Sequence, residues 1–378
     1  GRTDVLDPVV IADRMAKDMV GTGHALVAGL IKGAMNHNVQ FHVDTRVRQL
    51  VMDGEAVVGV AAEHHGKTIR VAARRGVIIA SGGFEWNPRL VQDFVFGPAP
   101  VPLSPPYNEG DGLLMAIAAG AELANMSEAH WHASMSIPGE EYENHPLNRL
   151  TSPERHSPGA IMVNAKGRRF VNEALSYHDV CHAMRAFDPG TLSFANLPAW
   201  VIVHRGFLDR YPFMTRYPGD PIPRWLTQAP TVRDLAAKIG VDPDGLAATV
   251  ARFNEHADRG IDPDFHRGES AYGRHYGDQR REGAFKTLGP LDEAPFFACE
   301  IRLGALGTRG GPKTNTHAQV LNTHGGVIPG LYAAGNAAAA FTGMAYPGAG
   351  GTIGPALTFG HIAGRVAASN GRRAAGET

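Results

Sequence analysis

Gly330-Leu331-Tyr332-Ala333-Ala334-Gly335-Asn336 is followed about fifteen residues later by Gly350-Gly351-Thr352-Ile353-Gly354-Pro355. The first segment reads as a buried strand leaving through a glycine. The second reads as the opening of a helix that runs to about Ala367. Proline in the first helical turn is compatible with the unpaired N–H groups there. Those N–H groups, at the positive end of the helix dipole, suit an anionic or electron-rich group. A second strand, Gly76-Val77-Ile78-Ile79-Ala80, reads as fully buried and leaves through Ser81-Gly82-Gly83-Phe84. Strands that end in glycine let backbone approach a ligand at the carboxyl edge of an open α/β sheet. The fold class is α/β, of the nucleotide-binding kind.

The rest of the chain arranges itself around these segments. Leu26, Val27, Leu30, Ile31 and Ala34 recur at helical spacing across Gly23–Met35. Val39–Val43 alternates like a strand, and Val47–Met52 begins another. Asp53-Gly54 is a hairpin turn into Ala56–Ala62, and His65-Gly66 a turn into Thr68–Ala73. Gly110–Gly120 reads as a helix with Asp111 near its start. After about Asn125 the character changes, and residues 130–230 are rich in His, Pro and aromatics with few periodic stretches. Thr231–Gly240 and Pro243–His256 read as surface helices, and strands resume at Phe296–Leu303. The expected plan is a nucleotide-binding domain (1–130 and 304–378) interrupted by a cap domain at 131–303.

Composition narrows the function. The 378 residues carry 36 Lys+Arg against 37 Asp+Glu, so no basic surplus points to nucleic acid. The 46 glycines are well above the ~7% average, as turns and close ligand approach require. Gly1–Arg14 is mixed and charged and lacks the pattern of a secretory signal, so the chain is expected in the cytoplasm. Residues 330–364 hold no charged side chain, yet nine glycines and two prolines there argue for a loop-rich wrap around a cofactor and against a membrane span. His130-Trp131-His132 and His64-His65 lack a third ligand at a metal-binding spacing, so no metal is expected.

The order Gly23–Leu30, Thr45–Leu50, Ala80–Phe84, Gly110–Gly112, Gly167–Glu173, Gly307–Leu321, Gly330–Asn336 and Tyr346–Gly360 resembles the FAD-dependent fumarate reductase/succinate dehydrogenase flavoprotein superfamily. Tyr346-Pro-Gly-Ala-Gly350-Gly351-Thr352-Ile353-Gly354-Pro355 is similar to its 3-ketosteroid Δ1-dehydrogenase branch. The resemblance implies a Rossmann-like FAD domain with an inserted cap. It also implies 1,2-desaturation of a 3-ketosteroid or similar cyclic ketone, by C2 proton removal and hydride transfer to FAD, with reoxidation by an unidentified electron acceptor. One departure is plain. The family's opening Gly-x-Gly-x-x-Gly is absent: Gly21-Thr22-Gly23 fits only its first two glycines. The sequence reads as the later two-thirds or so of a longer flavoprotein, expected by itself to hold FAD weakly or not at all.

Site residues follow from the same resemblance. Fumarate reductases carry a proton-donating Arg four residues after the Glu of a motif like Gly167-Arg168-Arg169-Phe170-Val171-Asn172-Glu173; here that position is Tyr177. In the ketosteroid dehydrogenases a tyrosine at this point removes the C2 proton. A packed cap tyrosine, or His178 as the base, are the alternatives. Tyr346 and the Gly350 N–H match the pair that binds the ketone oxygen, with a packing aromatic as the other reading of Tyr346. Val47, Ala80, Ser81 and Gly82 match the adenosine side of FAD, Gly335 and Asn336 the pyrophosphate–ribityl stretch, and Gly351, Thr352 and Ile353 the flavin ring. Asn336 stands where many relatives have Glu. Arg309 reads either as a flavin or substrate contact or as a solvent-facing hinge residue. His130, Trp131, Met135, Phe207, Phe213 and Trp225 read as pocket wall or as core. A fumarate reductase-like flavoprotein and an inactive flavin-free fragment are the rival readings.

Overall fold

The computed structural model describes residues 8–369, so the first seven residues of the charged opening stretch lie outside it. The chain forms two compact units. The smaller comprises the residues up to Val47 together with Ala62–Ile69. It holds helices α1 (Pro8–Ala16) and α2 (Thr22–Asn36). α2 covers the expected Gly23–Met35 helix, but its apolar stripe is open: Leu26, Val27, Leu30, Ile31 and Met35 are 39–62% exposed. Val39–Val43, expected as a strand, is not one. A strand exists through its ladder, and no strand among the described residues pairs with this segment.

The larger unit comprises Arg48–Ala61 and the chain from Arg70 on. Strands β1 (Thr45–Asp53), β2 (Ala56–His64) and β3 (Lys67–Ala72) form a meander sheet in that order. Its turns use Gly54 and Gly66, both in the left-handed region. Leu50 and Val57 pack into one core with Ile79, Ala116 and Leu331. β4 (Val77–Ile79) pairs parallel with a later strand, Val327–Ala333. Its expected burial on both faces holds for one only, because Ile79 is buried while Ile78 is 39% exposed. Helix α3 (Asp111–Ala118) sits directly on the exit of β4. A Cβ on Gly112 would run into the Ile79 and Ser81 side chains, so glycine sets that close approach.

The stretch 130–230, which shows few periodic signals in sequence, carries most of a seven-stranded sheet. Its main order is β6 (His145–Leu150), β5 (Ala129–Tyr142), β9 (Phe296–Thr308), β8 (Ala199–His204), β7 (Ala160–Asn164). Both ends of β9 take part, through Val201↔Cys299 with β8 and Leu303↔Ala133 with β5. Trp131, Met135, Phe207 and Phe213 belong to the core under this sheet, and Trp225 packs against it. Those residues are packing, not pocket wall. Helix α4 (Tyr177–Met184) buries Val180, Cys181 and Met184 in the same core. α5 (Val232–Ile239) and α6 (Pro243–Ala257) cover the other face, their N-termini capped by Thr231 and Asp242. The chain returns through β10 (Gln319–Leu321) and β11 (Val327–Ala333), then ends the described region in α7 (Ile353–Ser369). Among the described residues no helix is long and apolar enough to cross a membrane.

Candidate active site

β4 and β11 run parallel, and the Ala334 N–H donates to the Ile79 carbonyl at 3.0 Å, so both strands release their chains at one edge. Ala80 and Ser81 leave β4 exposed and Gly82 turns with φ +77°. Gly335 leaves β11 with φ +68°, and beyond it opens a cleft of about 490 Å³. Gly335, Asn336, Gly351, Thr352, Pro355 and His130 are among its walls. The cleft thus joins a glycine exit to the N-terminus of a 17-residue helix, whose first N–H groups have no intrahelical acceptor. That is a fitting cradle for a flat, electron-rich ring such as a flavin. Ile353, exposed at the first helical position, does not line the cleft, and Ala80, Ser81 and Gly82 lie outside it. Val47 is half-buried on β1, in the smaller unit.

The strand exit is tied to the returning strand β9. The Phe84 N–H donates to Thr308 Oγ1 (2.9 Å), and the Thr308 N–H to Glu85 Oε2 (3.2 Å). Glu85 Oε1 also accepts from Ser104 and Asn108, at 2.6 and 2.7 Å. Burial raises the Glu85 pKa against these hydrogen bonds. A Cβ on Gly307 would overlap the Asn336 amide. Asn336 and His130 stand in the wall of the same cleft.

Two tyrosines meet next to this cleft. Tyr177 is the first residue of α4; Tyr346 lies on the loop before α7. Their ring centroids are 5.4 Å apart, with the rings tilted at 58°. The Tyr346 ring rests on Gly351, where a Cβ would stand 2.6 Å from Cε2. Gly350 turns just before it with φ +92°. Around the pair are buried histidines: His132 stacks on Tyr177 at 4.5 Å, and His130 lies 5.2 Å from Tyr346. β5 explains both. Side chains alternate along a strand, so Trp131, Ala133 and Met135 enter the core while His130 and His132 face the tyrosines. Sequence reasoning weighed this His-x-His only as a metal site or pocket wall; its period of two was the available signal.

The electrostatics are those of an enclosed site. Burial, then the Arg309 charge, pushes His130 down to about 3; burial and Arg155 do the same to His132. His178 falls to about 4, chiefly through burial. All three imidazoles are neutral at pH 7. Burial, then the neighbouring Tyr346, raises the Tyr177 pKa, so its phenol is protonated. Arg309, read from sequence as a flavin or substrate contact or a solvent-facing hinge residue, is fully buried and facing no solvent.

Comparison with known proteins bears on the same architecture. The sequence profile of the FAD binding domain family matches residues 7–353. The 4-oxocyclohexanecarboxylate 2-dehydrogenase of Sinomonas cyclohexanicum is 40% identical over 361 residues, covering 94% of this chain and 62% of that protein. The 3-oxosteroid 1-dehydrogenase of Mycobacterium tuberculosis is 38% identical, covering 96% and 66%. Among solved structures, the 3-ketosteroid delta1-dehydrogenase of Sterolibacterium denitrificans, in complex with 1,4-androstadiene-3,17-dione, superposes with a TM-score of 0.87 at 35% identity, covering 93% and 64%. The chain therefore spans about two thirds of the length of the curated relatives it matches. A parallel strand pair releasing glycines at one edge, a helix N-terminus facing that edge, and a profile match over nearly the whole chain agree: this protein belongs to the FAD binding domain family.

Proposed function

We propose that the protein of which this chain is part is an FAD-dependent dehydrogenase that introduces a double bond next to a ring ketone. The substrate class is a 3-ketosteroid or a smaller cyclic ketone, and the cap is residues 131–303. The observation that carries the reading is the close pair Tyr177–Tyr346, ring centroids 5.4 Å apart, beside the Gly335–Gly351 cleft. The two relatives above differ greatly in substrate size, yet both names describe oxidation of a ring carbon near an oxo group. That common chemistry is what two phenols and a backbone N–H can serve.

A proton next to a ketone leaves readily only if the carbonyl oxygen is stabilised as it gains charge. Tyr346 O–H and Gly350 N–H hold that oxygen. Tyr177 takes the proton from the adjacent carbon. FAD, when bound, supplies the acceptor for the hydride lost from the neighbouring carbon. Gly335, Asn336, Gly351 and Thr352 would hold its flavin side, with Ala80, Ser81 and Gly82 toward the adenosine. Tyr177 is neutral at pH 7, so it becomes a base only once its own proton is passed on. The rate should accordingly rise with pH across the neutral range, since hydroxide favours that loss. An Arg at position 177 would favour the fumarate reductase reading; the tyrosine there favours desaturation. The electron acceptor is a separate small molecule or protein, and the compartment we propose is the cytoplasm.

In the FAD-loaded protein, Tyr177→Phe should abolish deuterium exchange at the ketone's α-carbon, whereas Tyr346→Phe should slow it by about 100–1,000-fold, the loss of one oxyanion donor. Wild-type exchange in Tyr177→Phe removes Tyr177 as the base. Fumarate reduction from a reduced dye, without turnover of any cyclic ketone, removes the whole reading.

A further inference from the structure

Arg309 has no solvent exposure, and among the described residues it makes no contact ion pair with a carboxylate. Its nearest counter-charge, Glu128, acts at a distance and is itself paired with Arg185 at 3.2 Å. A buried guanidinium without a carboxylate partner is expensive unless its donors are used. Here the Nη1 and Nη2 donors are used on one short segment, while Nε has no partner among the described residues. Nη1 donates to the Met344 carbonyl at 3.3 Å; Nη2 donates to Thr342 Oγ1 and to the Ala345 carbonyl at 2.8 Å. All three acceptors lie within the four residues that precede Tyr346.

A second side chain reaches the same place. His178 Nε2 is 3.0 Å from the Met344 carbonyl. A carbonyl only accepts, so His178 carries its proton on Nε2. His178 follows Tyr177 on α4, so the loop that carries one tyrosine is bonded to the neighbour of the other. Arg309 is anchored in turn through its backbone, which donates to the Glu128 carbonyl at 2.9 Å and accepts from the Ala340 N–H at 3.0 Å.

We propose that Arg309 is a positioning residue: together with His178 it clamps residues 342–345 so that the Tyr346 hydroxyl is held against Tyr177. The inference rests on the reading of these tyrosines as the reacting pair. It deepens that reading by naming what sets their separation. The planar fork of arginine presents donors on two separate Nη atoms to these acceptors; the ammonium of lysine gathers its donors on one atom and does not span them.

Fluorine NMR of the chain labelled with 3-fluorotyrosine tests this without turnover. Tyr177→Phe and Tyr346→Phe assign the two resonances. In Arg309→Met both should shift, and Tyr346 should broaden, while the exposed Tyr107 and Tyr217 stay in place. Tyr177 should also begin to titrate at lower pH than in the parent chain, because the neighbouring Tyr346 phenol that opposes its ionisation moves away. Arg309→Lys should not restore the parent spectrum. Thr342→Val, which removes one acceptor and leaves both carbonyls, should move the same resonances by a smaller amount. In the FAD-loaded protein, Arg309→Met should lower kcat and leave KM unchanged. Parent-like tyrosine resonances and titration in a folded Arg309→Met chain overturn the proposal. If that variant does not fold, an unmoved Tyr346 resonance in Thr342→Val overturns it. Loss of the chemical reading shows separately, as α-carbon exchange that survives in Tyr177→Phe while the NMR shifts occur as expected.

Discussion

Gly351 shows how a single missing side chain seats an aromatic ring. Its absent Cβ is the seat of the Tyr346 ring, with Cε2 at 2.6 Å and Cζ at 3.1 Å from where that carbon would be. Gly351→Ala should therefore push the ring off its seat without straining the backbone, since Gly351 is not among the positive-φ glycines. The expected outcome is a turnover loss approaching that of Tyr346→Phe, about 100-fold or more, with a thermal midpoint near that of the parent. Steady-state kinetics beside a melting curve check both halves. The six residues from Tyr346 to Gly351 were legible in sequence as a unit. That the glycine serves the tyrosine, and the flavin cleft besides, required coordinates.

At the scale of elements, the motif Gly167–Glu173 is a buried charge lock between the seven-stranded sheet and the loop at 262–267. Arg169 bonds both carboxylate oxygens of Glu173 at 2.8 Å and those of Asp262 at 2.9 and 2.8 Å. Arg267 adds a bond to Glu173 at 3.0 Å, and its other donors hold the Ala160, Arg155 and Ser157 carbonyls. Gly167 turns with φ +66° against the backbone of α6. The two arginines lower the Glu173 pKa against complete burial. Removing Glu173 leaves two buried cations without it, so Glu173→Ala should cost about 3–5 kcal/mol. Arg252→Ala, which breaks only the exposed pair with Asp264, should leave denaturant unfolding unchanged. The motif reads from sequence as a family signature; its role is to set the base of α4, four residues on.

Across the whole molecule the buried histidines outnumber the buried acids that oppose them. Burial lowers the pKa of His130, His132, His156, His178 and His204. It raises that of Glu85 and Glu154. Below pH 6.5 the unfolded chain protonates those imidazoles while the folded chain does not, so stability falls as pH drops. The two carboxyls act oppositely just above pH 4.5, where the folded chain holds protons that the unfolded chain has released. Five against two leaves a net loss, at up to about 1.4 kcal/mol per pH unit for each proton in excess. Urea midpoints measured between pH 7.5 and 5 should fall steadily, and a flat or rising profile would show the imidazoles to be charged in the fold.

What the sequence determined by itself was local and periodic. The glycine exits of β4 and β11, the N-terminus of α7, the hairpin turns and the capped helices α5 and α6 all follow from residue types acting within a few positions of themselves. Only the tertiary structure decided the rest. Val39–Val43 alternates but pairs with no described strand, because a ladder depends on a neighbour that alternation cannot supply. β5 showed weak periodicity because polar His130 and His132 stand on its second buried face. Arg309 is buried, not hinge-exposed, because acceptors thirty-odd residues later in the chain fold back to meet it. Burial, pairing and charge compensation are relations between distant segments, and one segment read alone does not contain them.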